Sequence, residues 1–182
     1  MILLINIIIK MNIIIIGEIN INKDDINKDI QIINSYENVK RNDLFARVEN
    51  EDEYKNEKEI KENIEIKINE KTIEFTYNYK FEKEGKYKIE YLFKNNLTKT
   101  CFMFYGCNSL TNLNLSNFNT KNVTNMGCMF NNCYKLESLD LSTFNTENVT
   151  NMNCMFSGCI SLISLNLSNF NTKKVSDMGS MF

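Results

Sequence analysis

Residues 110–182 read LTNLNLSNFNTKNVTNMGCMFNNCYK (110–135), LESLDLSTFNTENVTNMNCMFSGCIS (136–161) and LISLNLSNFNTKKVSDMGSMF (162–182). Laid over one another they repeat with a period of 26. Leu113, Leu139 and Leu165 fall in one column, as do Leu115, Leu141 and Leu167, and Phe118, Phe144 and Phe170. Further columns are Val123, Val149 and Val175; Met126, Met152 and Met178; Phe104, Phe130, Phe156 and Phe182; and Cys107, Cys133 and Cys159. Each unit carries about nine apolar positions that it cannot bury alone, and stacking the units turns these positions into continuous columns. The expected core is therefore Leu113, Leu115, Phe118, Met126, Phe130, Cys133, Leu139, Leu141, Phe144, Met152, Phe156, Cys159, Leu165, Leu167 and Phe170.

The L-x-x-L-x-L segment alternates, with Leu113 and Leu115 inward and their neighbours outward, which predicts a short parallel strand in each unit. Apolar spacings of three through Val123, Met126, Met129, Phe130 and Cys133 predict a helical or 3₁₀-like return turn. The outward strand positions form three polar columns: Asn112, Ser138 and Ser164; Asn114, Asp140 and Asn166; Ser116, Ser142 and Ser168. These nine residues are the candidate binding face, to be weighed against a merely solvated sheet surface. The face has no aromatic anchor, so binding through it is expected to be weak.

The FNT..VTNM..MF..C run resembles the repeat of the BspA-like leucine-rich repeat surface proteins and the related repeat domain of mycoplasma lipoproteins. The resemblance covers about Leu97 to Phe182. It implies a right-handed leucine-rich-repeat-like solenoid that binds proteins, often at a cell surface, and it brings no catalytic residue. Phe118, Phe144 and Phe170 stand where such repeats usually carry an asparagine ladder, and the adjacent Asn119, Asn145 and Asn171 are candidates for that backbone-bonding role.

Ahead of the repeats, alternation predicts strands at Ile13–Ile21, around 30–34, 64–68, 73–79 and 87–91, the last three forming an antiparallel meander. The expected fold is thus α+β with a repeat: a small antiparallel β domain (12–95) capping a solenoid (96–182) of three coils and the start of a fourth. Residues 36–63 are rich in Glu, Lys, Asn and Asp and read as a solvated loop, with a short helix around 44–48. The apolar opening MILLINIIIKMNIIII allows a core strand preceded by a spurious leader (1–11), or a signal or anchor; Asn6, Lys10 and Asn12 interrupt it, so no integral span is expected. The last unit stops at Met181-Phe182, which suggests a truncated array, a fraying end and end-to-end self-association.

Composition narrows the function classes. In 182 residues there is no His, Pro or Trp, and the net charge is −2. Without His, most hydrolase and metal-site chemistry loses its usual donor, and a near-neutral chain has no field for nucleic acid. Phosphate-loop, nucleophile-elbow and dinucleotide motifs are missing, so no enzyme, cofactor or metal is expected. Asn, Ile and Lys number 31, 23 and 19, and Lys outnumbers Arg 19 to 2, which points to an AT-rich coding sequence. The six cysteines follow the repeat, apart from Cys101, and read as packed free thiols; zinc would want a C-x-x-C or a His. Sequons at Asn96, Asn114, Asn122, Asn148 and Asn166 would accept glycans in a eukaryotic secretory route, although abundant Asn also creates them by chance. The expected function is a non-catalytic protein-binding module. A surface or secreted adhesion-type binder comes first. An intracellular scaffold and a fragment of a longer array without a function of its own are the alternatives.

Overall fold

The computed structural model describes residues 13–42, 48 and 50–182. The expected leader and almost all of the expected helix at 44–48 lie outside these residues. Strand β1 (Ile13–Ile21) buries Ile15, Ile19 and Ile21 on one face and exposes Glu18 and Asn20 on the other, as a period of two requires. A short strand β2 (Asp29–Gln31) follows, then helix α1 (Tyr36–Asn42), begun by Ser35, whose hydroxyl accepts the Asn38 N–H. Helix α2 (Glu57–Asn63) leads into β3 (Ile64–Ile68), β4 (Lys71–Ile73), β5 (Asn78–Lys80) and β6 (Gly85–Phe93). The repeats contribute β7 (Leu110–Asn114) and β8 (Ser138–Leu139).

Six of these strands form one mixed sheet in the order β4-β3-β6-β1-β7-β8, while β2 and β5 pair separately. The meander is therefore rearranged: β6 joins β3 on the edge away from β4, and β5 leaves for the second sheet. β1 lies between β6 and β7 and runs antiparallel to both. Gly17 sits at this crossing, where a Cβ would come 3.0 Å from the Leu110 side chain.

This architecture overturns the expected solenoid with its separate cap. Among the described residues, parallel pairing between strands is confined to Asn112 with Ser138 and Leu113 with Leu139, and the third copy of L-x-x-L-x-L forms no strand. The opposite side of the stack carries only single bridges, Lys99 to Asn125 to Asn151 to Asp177. N-terminal strands and repeat strands share one sheet and one hydrophobic core, and the fold is a small α+β one. The physical reason is that each leucine segment runs straight into a tight turn, which leaves too few residues for a parallel ladder.

The expected helical return is also replaced. In 100–107, 126–133 and 152–159 the backbone makes consecutive turns in which alternate N–H groups bond locally and across. Met129, Asn131 and Cys133 donate to the carbonyls of Met126, Cys128 and Phe130 three residues back. Between them, Met126, Cys128, Phe130 and Asn132 donate to Asn151, Asn153, Met155 and Ser157 in the next unit. Every second turn has positive φ at its third residue: Phe102 and Gly106, Cys128 and Asn132, Cys154 and Gly158. At Gly158 a Cβ would also approach Asn132 Oδ1 to 2.6 Å, so a side chain there would be crowded as well as strained by the φ of +77°.

Two phenylalanine columns fill the stack. Phe104, Phe130 and Phe156 lie nearly parallel, with centroids 6.0 and 5.8 Å apart. Phe93, Phe118, Phe144 and Phe170 form the other column and tie the sheet to the units. Phe130 is fully buried between two rings, so Phe130→Ala is expected to cost about 3–5 kcal/mol in urea unfolding. A loss below about 1 kcal/mol would show that the column is not a core.

The segment read as a solvated loop holds a polar pin. One carboxylate, Glu57, accepts a fork from Arg41 at 2.7 and 3.1 Å, Lys61 at 2.8 Å and the Tyr77 hydroxyl at 2.8 Å. The Arg41 bonds first, then those from Lys61 and Tyr77, hold its pKa down to about 2 against an ordinary 4.5, although partial burial opposes the shift. A depressed carboxylate contributes stability above its unfolded pKa and loses it as pH falls. Stability should therefore decline between about pH 4.5 and pH 2, and the decline should be shallower in Glu57→Gln; identical acid titrations of the two proteins would show that the pin contributes nothing.

Candidate binding face

The expected binding residues come from the ends of β7 and β8 and from the matching segment of the third unit. Six of them, Asn112, Asn114, Ser116, Ser138, Asp140 and Ser164, line one open groove of about 390 Å³, floored by Leu113 and Leu139. Ser142, Asn166 and Ser168 are exposed but lie outside the lining of that groove. Within it the Ser138 hydroxyl donates to Asn112 Oδ1 at 3.3 Å.

The middle column has a local task that its sequence did not reveal. Asn114, Asp140 and Asn166 each accept, through Oδ1, the N–H of the serine two residues on, at 2.9–3.0 Å. These Asx turns end the leucine segments. The Ser142 N–H, helped by its hydroxyl, holds the Asp140 carboxyl below its usual range. What these residues offer a ligand is therefore the outward amide of Asn114 and Asn166 and the second carboxylate oxygen of Asp140. The groove is a hydrogen-bonding surface with Asp140 as the one charged residue in its lining.

Two more Asx columns share this geometry. Asn119, Asn145 and Asn171 accept from Lys121, Glu147 and Lys173, and Asn125, Asn151 and Asp177 accept from Gly127, Asn153 and Gly179. Asn119, Asn145 and Asn171 thus bond within their own turns through Oδ1. Side-chain bonds between units come instead from other asparagines, as where Asn169 donates to the carbonyls of Leu141 and Phe144, and from threonines. Buried Thr120 donates to the Asn145 carbonyl and accepts its N–H, at 3.0 and 2.8 Å, and Thr146 does the same with Asn171. A Thr and an Asn 25 residues apart were the only signal available, and Asn abundance hid it.

The residues expected in the core differ in burial along the repeats. Leu113, Leu115, Phe118, Met126, Phe130, Cys133, Leu139, Leu141, Phe144, Met152 and Phe156 are buried, whereas Cys159, Leu165, Leu167 and Phe170 are half-buried. Among the described residues no group of three or more His, Cys, Asp or Glu is placed to hold a metal.

All six cysteines are free. Cys133 and Cys159 donate S–H to the carbonyls of Phe104 and Phe130, each at 3.1 Å, and Cys101 donates to that of Tyr54. Burial pushes the thiols of Cys101, Cys107 and Cys133 well up and that of Cys159 to about 11, which keeps them protonated and poorly nucleophilic. Thiol titration in denaturant without reductant should find six groups, and native titration should be slow. Two or more missing thiols would contradict the packing.

Curated proteins and solved structures yield no match to this chain. A family match does extend over residues 73–182, from the end of β4 through the last repeat and so more than half of the chain. The protein belongs to the family described as Mycoplasma protein of unknown function, DUF285.

Proposed function

We propose that this protein is a non-catalytic protein-binding module that engages its ligand through the groove across β7, β8 and the third unit. The observation that carries the reading is the convergence of six polar side chains from three successive units on one 390 Å³ groove. Their backbone is held by turns and by bonds between units, so the groove is presented with little freedom left to lose on binding. Its chemistry suits an extended peptide segment that offers amide and hydroxyl groups, and the nearly neutral lining gives little electrostatic steering.

The repeat's likeness to the BspA-like surface proteins favours a binder displayed on or released from the cell. Among the described residues no helix is long and apolar enough to cross a membrane. Antibody labelling of intact cells is expected to detect the protein; labelling only after permeabilisation would place the module inside and favour a scaffold.

Selection of a random peptide display library on the purified chain tests the groove. Enriched peptides should lose at least about tenfold in affinity to Ser138→Arg combined with Ser164→Arg. They should bind Glu74→Arg, an exposed change beyond β4, unchanged. Peptides indifferent to the double variant would refute the groove as the binding site.

A further inference from the structure

The repeat stacks two cysteine columns, and their thiols are placed differently. In the longer column Cys133 and Cys159 give their S–H to the carbonyls of Phe104 and Phe130, and Cys107 is fully buried. In the shorter one Cys128 and Cys154 are both half-buried, and the two thiols lie close enough to contact each other. This column runs Phe102, Cys128, Cys154, Ser180, so it holds one pair of thiols and no third. The backbone fixes both members alike. Each stands at the left-handed third residue of its turn, at φ 56° and 52°. The Cys128 N–H donates to the Asn153 carbonyl at 2.8 Å, and the Cys154 N–H to that of Gly179 at 2.9 Å. Equal dihedrals in one hydrogen-bond register send the two Cα–Cβ bonds out side by side.

We infer that Cys128 and Cys154 form a two-coordinate site for a soft monovalent cation, copper(I), held in line between consecutive units. Spacing favours a metal over a disulfide. Backbones joined by direct hydrogen bonds lie about 4.8 Å apart, and parallel side chains keep that spacing. A disulfide draws its sulfurs to about 2.05 Å and its Cβ atoms to about 3.8 Å, with the side chains turned towards each other. Two metal–sulfur bonds of about 2.3 Å placed in line span about 4.6 Å, which matches the step between units.

The donor set selects the ion. Thiolates suit soft cations. Structural zinc and iron–sulfur clusters ask for four protein donors, and among the described residues no group of three or more His, Cys, Asp or Glu is placed to supply them. Copper(I), with a filled d shell, is stable between two thiolates in line. Burial does most to raise both thiols and the Asp177 carboxylate adds to it, so a cation has to displace both protons. No electron moves in that exchange: two S–H bonds break, two copper–sulfur bonds form, and two protons go to solvent. The inference does not rest on the groove across β7 and β8, and either can fail without the other.

Anaerobic titration of the reduced 182-residue chain with copper(I), in competition with a chromogenic copper(I) chelator, tests it. The expected result is one chelator-resistant copper per chain. Cys128→Ser and, separately, Cys154→Ser should each weaken binding at least about tenfold, because a hydroxyl is a poor ligand for a soft ion. Cys159→Ser, at a half-buried thiol already bonded to the Phe130 carbonyl, should leave binding unchanged. X-ray absorption by the copper-loaded wild-type chain should show two sulfur neighbours and no third, a readout that depends on no variant's folding. A chain that yields all its copper to the chelator, copper held equally well by both serine variants, three sulfur neighbours, or one copper per two chains would overturn the proposal.

Discussion

The repeat half depends on one hydrogen-bond register, in which an N–H in one unit meets the carbonyl 25 residues later, as Thr100 meets Asn125 and Phe130 meets Met155. Only every second N–H takes part, because the intervening ones close local turns. The alternation is possible only with left-handed backbone at the third residue of every second turn. Where that residue is Phe102, Cys128 or Cys154, the chain accepts roughly 1 kcal/mol of backbone cost, offset by the bonds on either side. The phenylalanine spacing near 6 Å, the cysteine-to-carbonyl bonds and the threonine clasps all follow from that register.

Polar side chains are as structural here as apolar ones. Each unit has three Asx positions, and in the first two a threonine holds the next unit's asparagine backbone through both its carbonyl and its N–H. The asparagine excess of the composition is thus partly architectural: a short chain of tight turns needs many local acceptors, and Asn supplies one without adding charge. The same accounting explains the thiols. A cysteine in the Cys133 column fills an apolar site and still gives its hydrogen to a carbonyl, which neither Ala nor Val could do.

The part of the fold legible in the sequence was the part governed by short periods. Alternation located β1, β3 and β6, and the 26-residue period located the buried Leu, Phe, Val and Met columns. Local period carries no information about partners, however, and three errors share that cause. β6 pairs with β3 and β1 instead of closing a meander with its predecessor, and β1 reaches β7 across the whole N-terminal half. The three-residue apolar spacing from Val123 to Cys133 matches a helix and a train of turns equally well, and the positive φ at Cys128 and Asn132 leaves no trace in residue type that composition could separate from chance. The solenoid expectation failed at the same point, since column identity says that units stack but not that their strands form a ladder. At the candidate face, exposure was readable from alternation, whereas the Asx role of Asn114, Asp140 and Asn166 needed the coordinates.

The position of β1 has a consequence in time. The contacts of a repeat unit span about one period, but β1 is joined to β6 at Ile13–Phe93 and to β7 at Ile16–Asn114, separations of 80 and 98 residues. On a ribosome the first described strand to emerge therefore waits for residue 93 before its edge along β6 is paired and for residue 114 before its edge along β7 is. Long-range pairing of this kind is slow, and an unpaired apolar strand is a template for aggregation while it waits. The repeats can assemble by local steps as they appear, so the pace of the whole chain is set at its beginning, by a strand made early and completed late.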